Sequence, residues 1–278
     1  MGRGLEAAYH VRMKIAIFGP GVMGRALALG LQGKATDLEI RFGTRTEASA
    51  EEVTAELGIP ASADPAAVVE GAEVVVFCLK PFKVMGVLDA IGAAMPSGAV
   101  AVSIAAGVSL RQLAMGLPEG QPLVRAMPNT PCRIGAGVTV LSPAPQVDEA
   151  QLQKVREVFD VMGEVLVLEE EHMDAVTGLS ASGPAFLYLV IEALTDGGVM
   201  AGLPRDVALQ LATQATKGAA SMVEATGEHP AQLRDAVTTP AGCTISALLR
   251  LEDGKLRSVL ARGVQEASER ASGLGEGV

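Results

Sequence analysis

The sequence predicts an α/β fold, a doubly wound parallel sheet with helices on both faces, followed by an all-α domain. Short β-branched runs alternate with helical stretches from residue 13 to about residue 168, which is the pattern of βαβ units. From residue 169 onward nearly every segment has helical spacing. We therefore expect a disordered extension at 1–12, a first domain at 13–168 and a helical domain at 169–278.

The elements follow one another in a regular order. We predict strands at 14–18, 38–42, 73–78, 99–103, 123–126, 138–141 and 165–168. Helices are predicted between them at 22–32, 47–57, 83–94 and 148–162, with Gly58, Pro96 and Gly163 as stop signals. In the second domain we predict helices at 185–200, 206–224, 231–237, 244–251 and 255–270, separated by glycine and proline signals.

Composition excludes several classes of protein. The chain has 278 residues, 49% of them hydrophobic, so a substantial core is possible. Its formal net charge of −10 argues against nucleic acid as the main partner, because that affinity rests on clustered Lys and Arg. Neither a signal peptide nor a membrane span is expected. Three widely spaced cysteines indicate a reducing compartment and no metal site, so we expect a cytoplasmic protein.

A glycine-rich turn joins the first predicted strand to the first helix. In Gly19-Pro-Gly-Val-Met-Gly24 the glycines allow a tight turn, close approach of a pyrophosphate and close helix packing. The alternative is an ordinary strand-to-helix turn, but the βαβ setting favours a Rossmann-like dinucleotide site. The predicted cofactor contacts here are Gly19, Gly21, Val22, Met23 and Gly24.

The end of the second strand indicates which dinucleotide is preferred. Chains that select NAD usually place a carboxylate there. This chain has Thr44, Arg45 and Thr46 instead, which suit the 2′-phosphate of NADP. A solvated surface arginine is the alternative for Arg45. We predict NADP(H) as cofactor, with NAD(H) as a second choice.

Two further loops follow strands that flank the expected cleft. Leu79, Lys80 and Pro81 follow the strand at 73–78, and Ala105, Ala106 and Gly107 follow the strand at 99–103. Ligands bind at such strand ends in open α/β sheets. We predict cofactor contacts from both loops, with Lys80 beside the cofactor and the small backbone of 105–107 facing the nicotinamide. Structural turns remain the alternative.

A second turn of small residues lies near the end of the chain. Pro240 and Gly242 shape it, and a helical apolar pattern follows at once. The first N–H groups of that helix lack intrahelical acceptors and can bind an anion such as a carboxylate. Two anion sites on one chain indicate a two-substrate enzyme.

Together these motifs resemble the 1-pyrroline-5-carboxylate reductases. In order, they are Gly19-Pro-Gly-Val-Met-Gly24, Leu79-Lys-Pro81, Ala105-Ala-Gly107, Arg125-Ala-Met-Pro-Asn-Thr-Pro131, Leu179-Ser-Ala-Ser-Gly-Pro-Ala-Phe186 and Thr239-Pro-Ala-Gly-Cys-Thr244. The resemblance implies NAD(P)H-dependent reduction of 1-pyrroline-5-carboxylate to L-proline, the last step of proline biosynthesis. It also implies a homodimer built from the helical domain, with a decamer as a larger assembly.

The resemblance also implies roles at the second turn. The backbone at Gly242 and Cys243 and the hydroxyl of Thr239 would hold the substrate carboxylate, and Thr244 would hydrogen-bond the ring nitrogen as the catalytic residue. Without that resemblance, the preferred interpretation of Thr244 is a threonine that caps its own helix. Cys243 reads as a small packing residue rather than a nucleophile.

The chain departs from the family pattern at several positions. Ala241 stands where the first of two glycines is usual, and Ala181 replaces a glycine before Ser182. Thr238 and Thr239 replace the common Ser-Ser or Cys-Ser pair. Pro65 stands where the family often has an asparagine that touches the cofactor, so no contact is predicted there.

Other functions remain as alternatives. The first half also resembles deazaflavin-linked NADP oxidoreductases and hydroxyacid dehydrogenases, so another NADPH-linked imine or deazaflavin-type reductase is one alternative. A non-catalytic NADP-binding protein is another. No histidine lies in a catalytic motif, and surface or capping roles are expected for His10, His172 and His229. Capping also explains Ser180 and Ser182 at least as well as catalysis.

Overall fold

The computed structural model describes residues 13–34 and 38–275, so the predicted extension at 1–12 lies outside the described residues. The chain divides into two compact units. The first unit comprises the residues up to Ala181 and those from Ala267 onward. The second unit is Ser182–Glu266. The domain limits 13–168 and 169–278 stay predictions.

The first unit is built on one sheet of eight strands in the order β3-β2-β1-β4-β5-β6-β7-β8. All neighbouring strands are parallel except the antiparallel pair β6 and β7. The strands are β1 Met13–Phe18, β2 Leu38–Gly43, β3 Ala61–Ser62, β4 Val74–Phe77, β5 Val100–Ser103, β6 Leu123–Pro128, β7 Gly137–Pro143 and β8 Gly163–Val167.

Helices cover both faces of this sheet, which confirms the doubly wound fold. On one face α1 Val22–Lys34, α2 Glu47–Leu57 and α6 Glu149–Phe159 pack on the side chains of Ile15 and Ile17. On the other face α3 Pro65–Val69, α4 Pro81–Ile91 and α5 Leu110–Met115 pack on Ala16 and Phe18. Successive side chains of β1 therefore enter two different cores, as the period of a strand requires.

Local capping explains where several of these helices begin and end. The side chain of Thr46 accepts the N–H of Ser49 at the start of α2, and Gly58 ends that helix with φ +66°. Asp148 and Gln151 form a capping box at the start of α6. These signals are present in the sequence, and the predicted limits of α2 match the structure.

The second unit is entirely helical over the residues that the structure describes. It contains α8 Gly183–Met200, α9 Arg205–Thr226, α10 Pro230–Ala236, α11 Cys243–Asp253 and the first part of α12 Leu256–Ser272. A Cβ built on Gly198 would lie 3.0 Å from the Cβ of Ala208, so small residues allow α8 and α9 to approach closely. The short helix α7 Met173–Val176 and the π-helical turn Thr177–Ala181 precede this unit.

The short elements are those that the sequence analysis missed. They are β3, α3, α5, α7 and the π-helical turn. A two-residue strand or a four-residue helix has no measurable period, so hydrophobic patterning cannot reveal it.

One helical run corrects the expectation that no segment could span a membrane. Glu170–Met200 is long and apolar enough to do so by length and composition, and most of it is unburied in this chain. A helix whose apolar side chains pack against another protein meets this criterion as readily as one that faces lipid.

Candidate functional site

The carboxyl ends of β1, β4 and β5 place three loops side by side. Because β1 lies between β2 and β4, the strand order changes direction at this point, where ligands bind in open α/β sheets. A cleft of roughly 860 Å³ opens there. Residues 19–23 and 78–83 line it, together with Ile104, Ala106 and Leu274.

The glycines of the first loop have distinct roles. Gly19 has φ +98°, and a Cβ built on it would overlap the carbonyl oxygen of Cys78. A Cβ on Gly24 would overlap the carbonyl oxygen of Gly19. By contrast, apart from the neighbouring backbone of the same turn, no atom of the described residues lies within 4 Å of a Cβ built on Gly21. The outer glycines therefore close the turn, and the middle one leaves an open backbone surface that fits a pyrophosphate.

The start of α1 offers the hydrogen-bond donors for such an anion. The N–H of Arg25 donates to the carbonyl of Gly21 at 2.9 Å, so the N–H groups of Val22 and Met23 precede the first intrahelical bond. The side chain of Arg25 is engaged elsewhere, since its Nε donates to the carbonyl of Pro20 and its guanidinium pairs with Glu56. The backbone is thus the main anion-binding element of this turn.

The residues predicted to select NADP lie at the end of β2. The N–H of Gly19 donates to the carbonyl of Gly43 at 3.3 Å, which ties this strand end to the glycine turn. The hydroxyl of Thr44 donates to the carbonyl of Thr46 at 3.0 Å, and Thr46 caps α2. Arg45 is exposed. None of the three lines the cleft in the described residues, and their contact with a cofactor stays a prediction.

The remaining predicted cofactor residues lie in the loops after β4 and β5. Leu79, Lys80 and Pro81 line the cleft, and Lys80 lies directly before α4. Of the predicted residues 105–107 in the other loop, only Ala106 lines it. The side chain of Ala105 is buried, and Gly107 has φ +75°. If this loop binds a cofactor, Ala105 and Gly107 contribute shape or backbone rather than side chains.

The turn at 239–244 lies in the second unit between α10 and α11. The N–H of Gly242 donates to the carbonyl of Thr239 at 3.0 Å and closes the turn. Ala241 takes the left-handed conformation with φ 56°. In the described residues no side chain caps α11, and no hydrogen bond engages the N–H groups of Cys243 or Thr244. Two backbone donors therefore remain for an anion.

The hydroxyls around this turn are not equivalent. The hydroxyl of Thr238 donates to the carbonyl of Arg234 at 2.7 Å and belongs to the end of α10. The hydroxyl of Thr239 lies against Gly242, where a Cβ would overlap it. Thr244 is half-buried at the second position of α11 and does not cap the helix, so the capping interpretation of Thr244 is wrong. The N–H of Gly242 is engaged within the turn, and its contact with substrate stays a prediction.

The histidines have the expected structural roles where the structure describes them. The Nδ1 of His229 accepts the N–H of Ala231 and caps α10, and His172 is exposed beside Glu171. His10 lies outside the described residues. Ser180 lies in the π-helical turn with its buried Oγ unpartnered, and Ser182 precedes α8 without a side-chain cap, so the capping explanation of these serines is wrong.

The cysteines near the cleft are unsuited to nucleophilic chemistry. Burial raises the pKa of the Cys78 thiol to about 12, and the neighbouring Cys132 adds to the rise. Burial also raises the pKa of Cys132, although Arg133 opposes the rise. Both groups are protonated at neutral pH, and a thiol is a far weaker nucleophile than a thiolate. Cys243 is exposed at the start of α11 rather than packed in a core.

The sequence analysis missed Phe82, Lys83 and Leu274 among the residues that line the cleft. Leu274 lies at the far end of the chain, and the hydrogen bond that fixes its turn joins residues 163 positions apart. Nothing in the local sequence signals such a contact.

Comparisons with known proteins cover both units. A family model described as pyrroline-5-carboxylate reductase dimerisation matches residues 170–274. Another, described as NADP oxidoreductase coenzyme F420-dependent, matches residues 14–107. The pyrroline-5-carboxylate reductase of Corynebacterium melassecola is 37% identical over 266 residues, covering 94% of this chain and 98% of the relative.

Solved structures resemble the chain over nearly its whole length. A pyrroline-5-carboxylate reductase from Coxiella burnetii has a TM-score of 0.88 at 30% identity and covers 95% of this chain and 99% of its own. Pyrroline carboxylate reductase from Plasmodium falciparum, with NADP bound, has a TM-score of 0.86 at 26% identity. It covers 96% of this chain and 99% of its own.

The parallel sheet, the glycine turn and the cleft at the switch point define a protein of the dinucleotide-binding class. The near-complete match at more than a third identity narrows that class. The chain belongs to the pyrroline-5-carboxylate reductase family, which confirms the resemblance found in the sequence motifs.

Proposed function

We propose that this chain reduces 1-pyrroline-5-carboxylate to L-proline with NADPH, the last step of proline biosynthesis. The observation that carries the proposal is the likeness to pyrroline-5-carboxylate reductases along 94% of the chain. The ranges of the two matching family models contain the glycine turn and the 239–244 turn. Fold alone would not support an activity, because the same α/β fold serves many reactions. The two turns supply the chemistry that this reaction needs.

The start of α11 is the proposed binding site of the substrate carboxylate. The N–H groups of Cys243 and Thr244 have no partner in the described residues, and the helix N-terminus carries a partial positive charge. Hydrogen bonds to a charged group contribute about 1.5–3 kcal/mol each. The hydroxyl of Thr239 is positioned at the same turn to donate a further bond.

Thr244 is the proposed partner of the ring nitrogen. Its hydroxyl oxygen accepts the N–H of the protonated imine, which orients the ring once the carboxylate is held. NADPH, when bound, supplies the hydride that adds to the imine carbon, while the electron pair of the C=N bond moves to the nitrogen. The nitrogen keeps its proton, so the reduction needs no general acid, and placement of the ring is the main contribution of the protein.

The cleft of the first unit is the proposed dinucleotide site. Gly19, Gly21 and Gly24 with Val22 and Met23 would hold the pyrophosphate, and 79–81 and 105–107 the nicotinamide half. Thr44, Arg45 and Thr46 would hold the 2′-phosphate, with Arg45 making the charged contact. NAD(H) remains the second choice of cofactor, because the glycine turn binds the pyrophosphate that both dinucleotides share.

The helical region is a dimerisation region, since residues 170–274 match the family model of that description. Many large apolar side chains of the second unit are exposed in the single chain, among them Leu187, Tyr188 and Leu189. A decamer built from five dimers is the proposed larger assembly. A cytoplasmic location without membrane or nucleic-acid partners is likewise proposed, supported by the net charge of −10.

The test follows NADPH absorbance with pyrroline-5-carboxylate as the second substrate. The purified chain is expected to consume NADPH only when the imine is present and to form L-proline, and to run in reverse with proline and NADP at high pH. Binding of NADPH without turnover would favour the non-catalytic alternative. Turnover with a reduced deazaflavin alone would favour the other reductase, which the match of the helical region to the dimerisation model already disfavours.

A further inference from the structure

The last described turn of the chain reaches the dinucleotide cleft. The C-terminal turn, Gly273–Gly275, belongs to the first unit and follows α12. Its middle residue, Leu274, lines the cleft together with Ile104 and Ala106 of the loop after β5. The side chain is 50% exposed, whereas Ala271 and Gly275 on either side of it are buried.

Backbone contacts hold this turn against the loop after β5. A Cβ on Gly275 would overlap the carbonyl oxygen of Gly107, so the two backbones approach too closely for any side chain at that position. A Cβ on Gly107 would in turn lie 2.7 Å from the Cβ of Leu274. Glycine at both positions therefore allows the C-terminal turn to lie directly on the loop.

A side chain of α5 fixes the same turn. The Nε2 of Gln112 donates to the carbonyl of Gly275 at 2.9 Å. The Oε1 of Gln112 accepts the N–H of Ser109 at 2.9 Å in the capping box of α5. Both ends of this amide are thus engaged, and Leu274 is held in place by groups on either side while its own side chain stays half exposed.

We propose that the C-terminal turn is part of the dinucleotide site and that Leu274 is an apolar wall of its nicotinamide half. This rests on the proposed binding of NADPH in the cleft. A single exposed leucine on a surface needs no explanation, but this one is fixed by its neighbours and opens into the cleft. A ligand ring placed against it removes apolar surface from water, which is favourable. The loop of Ala106 provides the other apolar surface.

The experiment measures dinucleotide binding by the full-length protein, with titration calorimetry of NADP and fluorescence titration of NADPH. Leu274→Ala is expected to raise the Kd of both by about tenfold, the loss expected from one buried leucine side chain. Leu166→Ala is the matched control, because Leu166 lies in β8, outside the cleft lining, with the same 50% exposure. Its Kd should match that of the wild type.

A second probe separates the two halves of the dinucleotide. Adenosine 2′,5′-bisphosphate carries only the adenine half and should bind Leu274→Ala as well as wild type. An equal loss for this probe and for NADP would overturn the assignment, and so would an unchanged Kd for NADP. Gly275→Ala is expected to weaken NADP binding as well, because it displaces the turn. If the wild type binds neither dinucleotide, the proposed function is contradicted, and the role of Leu274 is contradicted together with it.

Discussion

Thr244 is the single side chain on which the proposed chemistry depends most. Its hydroxyl is presented from the second position of α11 and caps nothing in the described residues. Thr244→Ala is expected to lower kcat by about 10–100-fold, because one hydrogen bond to a charged group contributes about 1.5–3 kcal/mol. The Kd of NADPH should not change. Steady-state kinetics and fluorescence titration measure the two quantities.

Two variants control for structural effects at Thr244. Thr244→Ser keeps the hydroxyl and should recover most of the activity. Ser246→Ala removes a hydroxyl from the same helix that lies 3.4 Å from the carbonyl oxygen of Gly242, and it should leave kcat close to wild type. Unchanged turnover in Thr244→Ala would end its catalytic assignment.

Arg45 is the side chain that we expect to select NADPH over NADH. It is exposed after β2, where its guanidinium can pair with a 2′-phosphate. Arg45→Ala is expected to raise the KM for NADPH by roughly 10–100-fold and to change the KM for NADH little, because only NADPH carries that phosphate. Arg111→Ala, which removes an exposed charge from α5, is the control. Equal effects of Arg45→Ala on both cofactors would remove the assignment.

Ala241 is in a backbone conformation that suits glycine. Its φ of 56° is left-handed, which is unfavourable for a residue with a Cβ. Ala241→Gly is expected to raise the free energy of unfolding by about 0.5–1 kcal/mol, after allowance for the greater entropy of the unfolded chain. Chemical denaturation measures this change.

The control for Ala241 is an alanine in ordinary helix. Ala247 lies inside α11 and is exposed. Ala247→Gly should destabilise by about 1 kcal/mol, the usual cost of glycine in a helix interior. A loss of stability in both variants would mean that the left-handed turn is not a strained one.

At the scale of elements, one buried cation ties the sheet to the segment before α8. The guanidinium of Arg125 in β6 is 5% exposed and lies 3.5 Å from Glu170 and 3.3 Å from Asp174. Glu170 also accepts the N–H of Leu110 at the start of α5. Three elements of the first unit therefore meet at this arginine.

Arg125→Ala is expected to lower the free energy of unfolding by about 3 kcal/mol, because it leaves two carboxylates unpaired and a gap beside the sheet. The matched variant Arg205→Ala breaks the exposed pair with Asp196 and should cost about 1 kcal/mol or less. Urea denaturation measures both. A similar loss in the free energy of unfolding for the two variants would show that Arg125 does not stabilise the fold more than an exposed ion pair does.

Long helices and strands with a clear hydrophobic period, and with capping or stop residues at their ends, were predictable from the sequence. The parallel order of the sheet and the limits of α2 followed from β-branched runs, from Thr46 and from Gly58. The antiparallel direction of β7 against β6 and the π-helical turn did not, because a hydrophobic run does not encode strand direction and a five-residue turn has no measurable period.

The site was predictable from the sequence only in part. The glycine turn and the 239–244 turn stand out as patterns of small residues before a helix. The sequence could not reveal that the N–H of Gly242 is already engaged, that Ala105 is buried or that Leu274 joins the cleft. Each of these depends on the folded backbone rather than on residue type.

At the scale of the whole molecule, the second unit leaves apolar side chains exposed that a dimer would bury. On α8, Leu189 is 67% exposed and Tyr188 61%. Several large exposed apolar side chains on one helix are typical of a protein interface, and residues 170–274 match the dimerisation model. The dimer is therefore the expected folded form of the chain.

Leu189→Glu is expected to shift the protein toward monomer, because a buried unpaired charge costs several kcal/mol at an interface. Sedimentation velocity measures the shift. Ala55→Glu adds the same charge on the exposed surface of α2 in the first unit and should leave the assembly unchanged. A dimer of unaltered affinity in Leu189→Glu would exclude this face of α8 from the interface.

Isotope transfer tests the central claim, that the chain carries a hydride from a nicotinamide to the imine carbon of 1-pyrroline-5-carboxylate. NADPH deuterated at carbon 4 on the transferred face is incubated with the protein and the imine, and the product is examined by mass spectrometry and NMR. We expect L-proline with one deuterium at ring carbon 5 for each NADPH oxidised. Oxidation of NADPH without deuterium in proline, or no proline at all, would contradict it.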